Sequence, residues 1–448
     1  MKKSVMLVLS IFLAFLTIGC SLNSSKNNTD KGDGQREISI IAHFTNEDEL
    51  YKSFPELARY IMKFEAEKGI KVNFEKINFS NYDDYIQKLN TKLYMKEGPT
   101  LVFFSTAENY GKYIDAGIAL NIKGKIPNYD KVYDSLKYKD SFVPVGMSYI
   151  STVLNKSALD ELDMEEPNID WTHEEYSRIK EQWIKHKEQV NFSYIVYRDI
   201  VERPLNDLEI IDKEKKVIYL NTSEIKDLIN IAREKLFSGS YIINQQYSYM
   251  DYYNAFFDYN TNEHLKTKEF DFWNDNNMLE RRFGVRALKS FVTSSYIEKE
   301  NVLILPRLDV DTALSTSGFI INRNGKNTDL AIDFLNGLLD DEVQLSMFNN
   351  LTYGGYPVNK DIEEKISKIE LDNDVNKDAI ILRKYILEKI KAGELKPYKQ
   401  IDSTLYEFRQ MLHKDLMKLI FSKEEYSDEE LSKELQRLED KYNMWLNE

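Results

Sequence analysis

Val143-Pro144-Val145-Gly146-Met147-Ser148-Tyr149-Ile150-Ser151-Thr152-Val153-Leu154-Asn155-Lys156 decides how the rest of the chain is read. Val143-Pro144 reads as a turn, the β-branched and apolar run after it as a strand, and a helix opens near Ser157. Short strands alternating with helices precede this stretch, and a helix-rich, aromatic pattern follows it. The change of pattern predicts a first crossing between two lobes here, with the functional site in the cleft that the crossing spans.

Upstream, Glu37 to Ala42 alternates as a strand and leaves through His43-Phe44-Thr45-Asn46. Leu57, Ile61 and Phe64 mark one face of a helix that Gly69 ends. Ile70, Val72 and Phe74 alternate as a second strand. Tyr82, Tyr85, Ile86, Leu89 and Leu93 form the apolar face of a second helix, broken at Gly98-Pro99. Leu101-Val102-Phe103-Phe104 is apolar throughout, as a strand buried on both faces requires. This order predicts a parallel sheet. Ligands of such sheets sit beyond the carboxyl ends of the strands, which points to Phe44–Asn46 and Ser105–Asn109.

Downstream, Thr172-His173-Glu174-Glu175 is a capping box opening a helix with Tyr176, Ile179 and Trp183. A helix is expected near Ser223–Phe237, a tyrosine-dense segment runs from Tyr241 to Tyr259, and its Tyr247–Tyr253 cluster and Trp273 read as core rather than as ligand platforms. Strands are expected at Phe283–Val292, at Val302–Pro306 and at Ser317–Asn322. A helix with Leu330, Phe334, Leu338 and Leu339 follows the last of these. Gly354-Gly355-Tyr356-Pro357-Val358 is a loop, and the chain from Asp361 onward is helical and highly charged.

The 448 residues suffice for two or three domains, and 42% hydrophobic residues suffice for packed cores. The formal charge is −14, or −16 without Lys2 and Lys3. An acidic surface of this size argues against nucleic acid as a partner. Lys2-Lys3 followed by the uncharged run Val5–Ile18 reads as a signal peptide over 1–19. The run is short for a membrane span. Leu16-Thr17-Ile18-Gly19-Cys20 resembles a bacterial lipobox, which makes Cys20 the expected lipidation site. Cys20 is the sole cysteine, so an intrachain disulfide is excluded. Residues 20–36 are then a polar tether, and acyl chains contribute about 0.8 kcal/mol per buried methylene to holding the body at the outer face of the membrane.

The mature chain resembles the solute-binding lipoproteins of bacterial ABC importers, the family-1, maltodextrin-binding-like group. The pieces that carry the resemblance are Asp84-Tyr85 with Lys88-Leu89-Asn90-Thr91; Gly98-Pro99 before an apolar strand; Val143-Pro144 leading to Leu154-Asn155-Lys156; and Trp171-Thr172 opening a helix. Phe283-Gly284-Val285-Arg286-Ala287-Leu288 and Leu305-Pro306 come next. Ser317-Gly318-Phe319-Ile320-Ile321-Asn322 is the strongest piece. Ala331-Ile332-Asp333-Phe334-Leu335, Asp341-Glu342-Val343-Gln344 and Tyr356-Pro357-Val358 complete the set. Their order and spacing behind a lipobox make the set specific. Where the family usually has Trp after its first strand, this chain has His43-Phe44.

The resemblance implies a two-lobed α/β, periplasmic-binding-protein-like fold of type II with three hinge crossings and a helical C-terminal tail. The crossings fall near Val143–Ser148, Val302–Pro306 and Tyr353–Pro357. Lobe 1 is expected at 37–143 plus 305–352, and lobe 2 at 144–304 plus 353–448. It further implies a monomer that captures a small solute, by family precedent an oligosaccharide, without cofactor or metal, and hands it to ABC permease subunits. A sugar presents an apolar face to aromatic side chains and hydroxyl edges to polar ones. The expected ligand contacts are Phe44 and Asn46 after the first strand, Phe104 and Ser105 after the third, Ser148 and Tyr149 on the crossing, Ser294 and Tyr296, Arg307, and Tyr353. Two other readings stay open: a surface lipoprotein of the same fold acting as a sensor partner or structural factor, and a glycosidase. His43, His173, His186, His264 and His413 show no metal-ligand spacing, and no nucleophile elbow, P-loop or dinucleotide fingerprint occurs. The chain is therefore expected not to be an enzyme.

Overall fold

A computed structural model describes residues 36–447, apart from 81, 106–108, 213, 245, 258–301, 311–312, 350–354, 373–376 and 398–402. The signal peptide, Cys20 and the tether lie outside the described residues. So do Trp273, the strand expected at 283–292, Ser294, Tyr296 and Tyr353.

The apolar alternation upstream of the opening stretch becomes β1 (Glu37–Ile41), β2 (Lys71–Phe74) and β3 (Leu101–Phe104). β1 lies between the other two and pairs parallel with both, as expected. The helices Pro55–Lys68 and Tyr82–Tyr94 connect them. Gly69 ends the first helix at φ 64, and its N–H donates to the Glu65 carbonyl. That left-handed conformation is cheap only without a Cβ.

β4 (Val143–Tyr149) and β5 (Thr152–Asn155) are adjacent in sequence but belong to different sheets. Among the two-residue strands, β6 (Val190–Asn191) pairs with β9 (Tyr241–Ile242), and β7 (Ile211–Asp212) with β8 (Val217–Ile218). β10 (Val302–Leu305) runs antiparallel to β5. β11 (Leu314–Ile321) then returns to the first sheet between β3 and β4, antiparallel to both. The five-stranded order is β2-β1-β3-β11-β4. The chain thus leaves this sheet at Ile150-Ser151 and returns over 306–313. The whole of Val143–Tyr149 stays on the first sheet, so the crossing follows the strand.

Side-chain alternation sorts the sheet into two faces. Ile38, Ile40, Leu101, Phe103, Phe319 and Ile321 enter one core, while Ile41, Val102, Phe104 and Ile320 enter the core on the other face. The β5–β10 ribbon packs its Leu154, Leu303 and Leu305 with Trp171, Tyr176 and Trp183. A separate helical core gathers Tyr197, Ile229, Tyr252 and Phe256 with Leu412, Leu416, Leu435 and Tyr442. The expected core reading of the tyrosine-dense segment fits Tyr252, which is buried, with Tyr247, Tyr249 and Tyr253 packed against the same cluster.

Among the described residues beyond 363, four helices divide between the cores. Glu363–Asp372 and Lys377–Lys391 add Ile366, Leu382, Ile386 and Ile390 to the core of the five-stranded sheet. Ser403–Ile420 and Asp428–Asn447 build the helical core. What keeps the former pair with the first sheet is Tyr356, which exchanges backbone hydrogen bonds with Met147 at 2.8 and 2.6 Å and lies under the buried Arg383 guanidinium.

Candidate functional site

β3 and β4 both run antiparallel to β11, so their carboxyl ends meet at one edge of the sheet, the edge reached by the carboxyl end of β1. That edge is where the chain passes between sheets, and it collects the described candidate residues.

At the end of β1 the two aromatic neighbours diverge. His43 joins Phe79 and Tyr85, with ring centroids 4.9 and 4.6 Å away. Burial lowers its pKa, opposed by the Glu49 charge. Phe44 turns the other way and packs edge-on to Phe54 at 6.1 Å, against the main core. Asn46 is the N-cap of the helix Glu47–Ser53: its Oδ1 accepts from the Glu49 N–H at 2.9 Å. Phe104 is buried against Tyr110 and Tyr113. Ser105 follows it, half-buried, at the strand end.

Ser148 and Tyr149 pair with Ser315 and Leu314 of β11. The Ser315 hydroxyl donates to the Ser148 carbonyl, whereas the buried Ser148 hydroxyl has no hydrogen-bond partner among the described residues. Tyr149 is buried, and its hydroxyl accepts from the Arg307 backbone N–H at 2.9 Å. Burial pushes that phenol up to about 12. The first and second crossings are therefore joined through Tyr149 and Arg307, two of the residues that the sequence singles out.

Beside Arg307 lies a charged cluster that sequence reasoning did not select. The turn Arg198–Glu202 is π-helical, a form that widens a helix and recurs at functional sites. It aims its charges at the crossing. Asp199, with a 1% exposed side chain, binds Lys180 at 2.9 Å and Arg198 at 3.2 Å. It also accepts from the Tyr176 hydroxyl at 2.8 Å. Burial would raise its pKa, but Arg198, Lys180 and Arg203 outweigh it and hold the carboxyl below its ordinary value. Asp309, on the second crossing, binds Arg203 at 3.0 Å and is likewise held low by the arginines against the effect of burial. Glu202 differs: burial raises its pKa despite the Tyr194 hydroxyl, which donates at 2.9 Å, and the Arg307 charge. Trp171 Nε1 donates to the Pro306 carbonyl at 2.8 Å and ties the helix His173–Lys187 to the same crossing. The sequence signal was the run Arg198-Asp199-Ile200-Val201-Glu202-Arg203, which reads as a solvated face until its inward orientation is seen.

Among the described residues no group of His, Cys, Asp and Glu is arranged to hold a metal ion, and no helix is long and apolar enough to cross a membrane.

Residues 59–228 match the family model of bacterial extracellular solute-binding proteins. A search of curated proteins gives no match. An ABC substrate-binding protein from Listeria monocytogenes, solved in complex with cycloalternan, is 16% identical, with TM-score 0.56 over 92% of this chain and 99% of its own. The bacterial solute receptor AcbH, described as preferring β-D-galactopyranose, is 12% identical, with TM-score 0.58 over 92% and 99%. An ABC transporter solute-binding protein from Thermotoga lettingae, bound with α-D-tagatose, is 14% identical, with TM-score 0.54 over the same shares. The chain thus has the periplasmic-binding-protein-like fold, and over residues 59–228 it carries the sequence pattern of bacterial extracellular solute-binding proteins.

Proposed function

We propose that this protein is the extracytoplasmic solute-binding component of an ABC importer, anchored through acylated Cys20. It captures an oligosaccharide in the cleft between two lobes and presents it to membrane permease subunits. The observation that carries this reading is the fold likeness over nine-tenths of the chain to ABC solute-binding proteins. The sugar class follows from what those structures hold or prefer. Ile150-Ser151 and 306–313 act as hinge segments between the lobes, and ligand binding favours the closed state by its higher affinity for that state. The site is built of Ser105, Ser148, Tyr149 and Arg307 around the strand ends, with His43 and Phe79 as aromatic surface. Ser294, Tyr296 and Tyr353, expected from the sequence as further contacts, lie outside the described residues.

Calorimetric titration of the full chain with malto-, galacto- and cello-oligosaccharides tests the reading. Saturable one-to-one binding of at least one sugar is expected, weakened by Ser148→Val. A well-folded protein that binds none of them would shift the weight to a sensor or structural lipoprotein of the same fold. Metabolic labelling with a fatty acid tests the anchor: label should be incorporated, and lost in Cys20→Ala.

A further inference from the structure

The charges around the second crossing do not balance. Lys180, Arg198, Arg203 and Arg307 face Asp199, Asp309 and Glu202. Asp199 is shared by Lys180, Arg198 and Arg203. Asp309 holds Arg203 at 3.0 Å and Arg198 at 3.5 Å. Glu202 is engaged by the Tyr194 hydroxyl. Of the four cations, Arg307 alone makes no ion pair among the described residues. Its Nε is shielded from solvent and meets no acceptor there. Its backbone N–H is held by the Tyr149 hydroxyl at the crossing, and its side chain is half-buried.

A buried donor without an acceptor loses its hydration and gains nothing for it. For a cation the loss is larger. A site that keeps such a group is poised for a partner that arrives later. A local excess of positive charge stands out on a chain of −14, so it is not a by-product of basic composition. Glu202 is a poor standing counter-ion, because burial favours its neutral form.

We infer that Arg307 binds a singly charged anionic group of the solute, a carboxylate or a sulfate ester, so that the solute is an acidic rather than a neutral saccharide. This rests on the solute-binding reading above. The planar guanidinium presents paired donors that match either oxyanion in bidentate fashion. One unpaired cation balances a monoanion better than a doubly charged phosphate. The neighbouring carboxylates do not bar the anion, since Asp199 and Asp309 are already neutralised by Lys180, Arg198 and Arg203.

The test is calorimetric titration of the full chain with acidic saccharides, each beside its neutral parent: digalacturonate with galactobiose, and lactose 3′-sulfate with lactose. At least one acidic member should bind about tenfold or more tighter than its parent, as expected for a charge-assisted bidentate contact. Arg307→Met should abolish that preference, and Arg307→Lys should keep part of it. If Arg307→Met fails to fold, salt replaces it: raising sodium chloride from about 0.05 to 0.5 M should weaken the acidic member and leave the neutral one unchanged. Preference for uronate over sulfate, or the reverse, identifies the anion. Equal affinity for an acidic sugar and its parent, or an Arg307→Met variant with unchanged preference, overturns the acidic ligand and leaves the solute-binding reading standing. Failure of both acidic and neutral sugars to bind overturns the two together.

Discussion

Tyr149 joins two chain segments through one hydroxyl. It is buried on β4, and it accepts from the Arg307 N–H on the return crossing. Tyr149→Phe leaves that donor unsatisfied and should cost about 1–2 kcal/mol of stability in urea unfolding; an unchanged midpoint would show that the bond carries nothing. His413 makes a second residue-scale prediction. Its Nδ1 lies 2.9 Å from the Tyr197 hydroxyl, and its ring stacks on Phe257 at 5.1 Å. Burial, aided by the Arg409 charge, pushes the imidazole pKa down to about 3. In the unfolded chain an ordinary histidine takes up its proton near pH 6.5. Between these values the unfolded state binds the proton and the folded state refuses it. The stability involved is complete above about pH 6.5 and is lost as pH falls toward 3, roughly 2 kcal/mol of it by pH 5. His413→Phe should flatten this fall when urea midpoints are compared at pH 7 and pH 5; equal slopes in the two proteins would contradict it. The places of Ser148, Tyr149 and Arg307 were legible because Ser148 and Tyr149 end one apolar strand and Arg307 follows the Pro306 that closes another. Asp199, Glu202 and Asp309 were not, since with 74 acidic residues in the chain only the fold shows which ones turn inward.

At the scale of elements, local signals were reliable wherever one physical rule dominated. Thr172 and Glu175 form the capping box that their spacing announces, with bonds of 3.2 and 2.8 Å. Thr172→Ala should cost about 1 kcal/mol and fray the helix that carries Tyr176 and Lys180; hydrogen exchange over residues 173–177 would report it, and unchanged protection would speak against it. β3 declared itself by being apolar throughout. The partner of each strand was harder to read, because nothing in Leu314–Ile321 says that it inserts between β3 and β4 from more than 160 residues away in sequence. Gly355 marks another non-local constraint. It sits at φ +83, and a Cβ there would lie 2.6 Å from the Met147 carbonyl oxygen. Gly355→Ala should destabilise by about 2–4 kcal/mol, the sum of a left-handed backbone and a steric clash. A thermal midpoint within one degree of the parent would refute that.

For the molecule as a whole, the mixed α/β, periplasmic-binding-protein-like fold could be read from the set of motifs around Val143–Lys156. The division of the C-terminal helices could not, because amphipathic charged helices suit either core, and the Met147–Tyr356 contact that retains Glu363–Lys391 is made across more than two hundred residues. Two chain passages meet at one sheet edge, joined by Tyr149 and Arg307, and that edge is the proposed hinge and binding surface. The central claim is that a sugar binds there and stabilises the folded state. The measurement that tests it most directly is thermal unfolding of the full chain against a panel of neutral and acidic oligosaccharides. A ligand present at about a hundred times its dissociation constant, bound only by the folded protein, adds roughly 2.7 kcal/mol. The account predicts a clear rise in midpoint with at least one saccharide, reduced by substitution of Arg307. A flat response across the panel from a protein that unfolds cooperatively would contradict it.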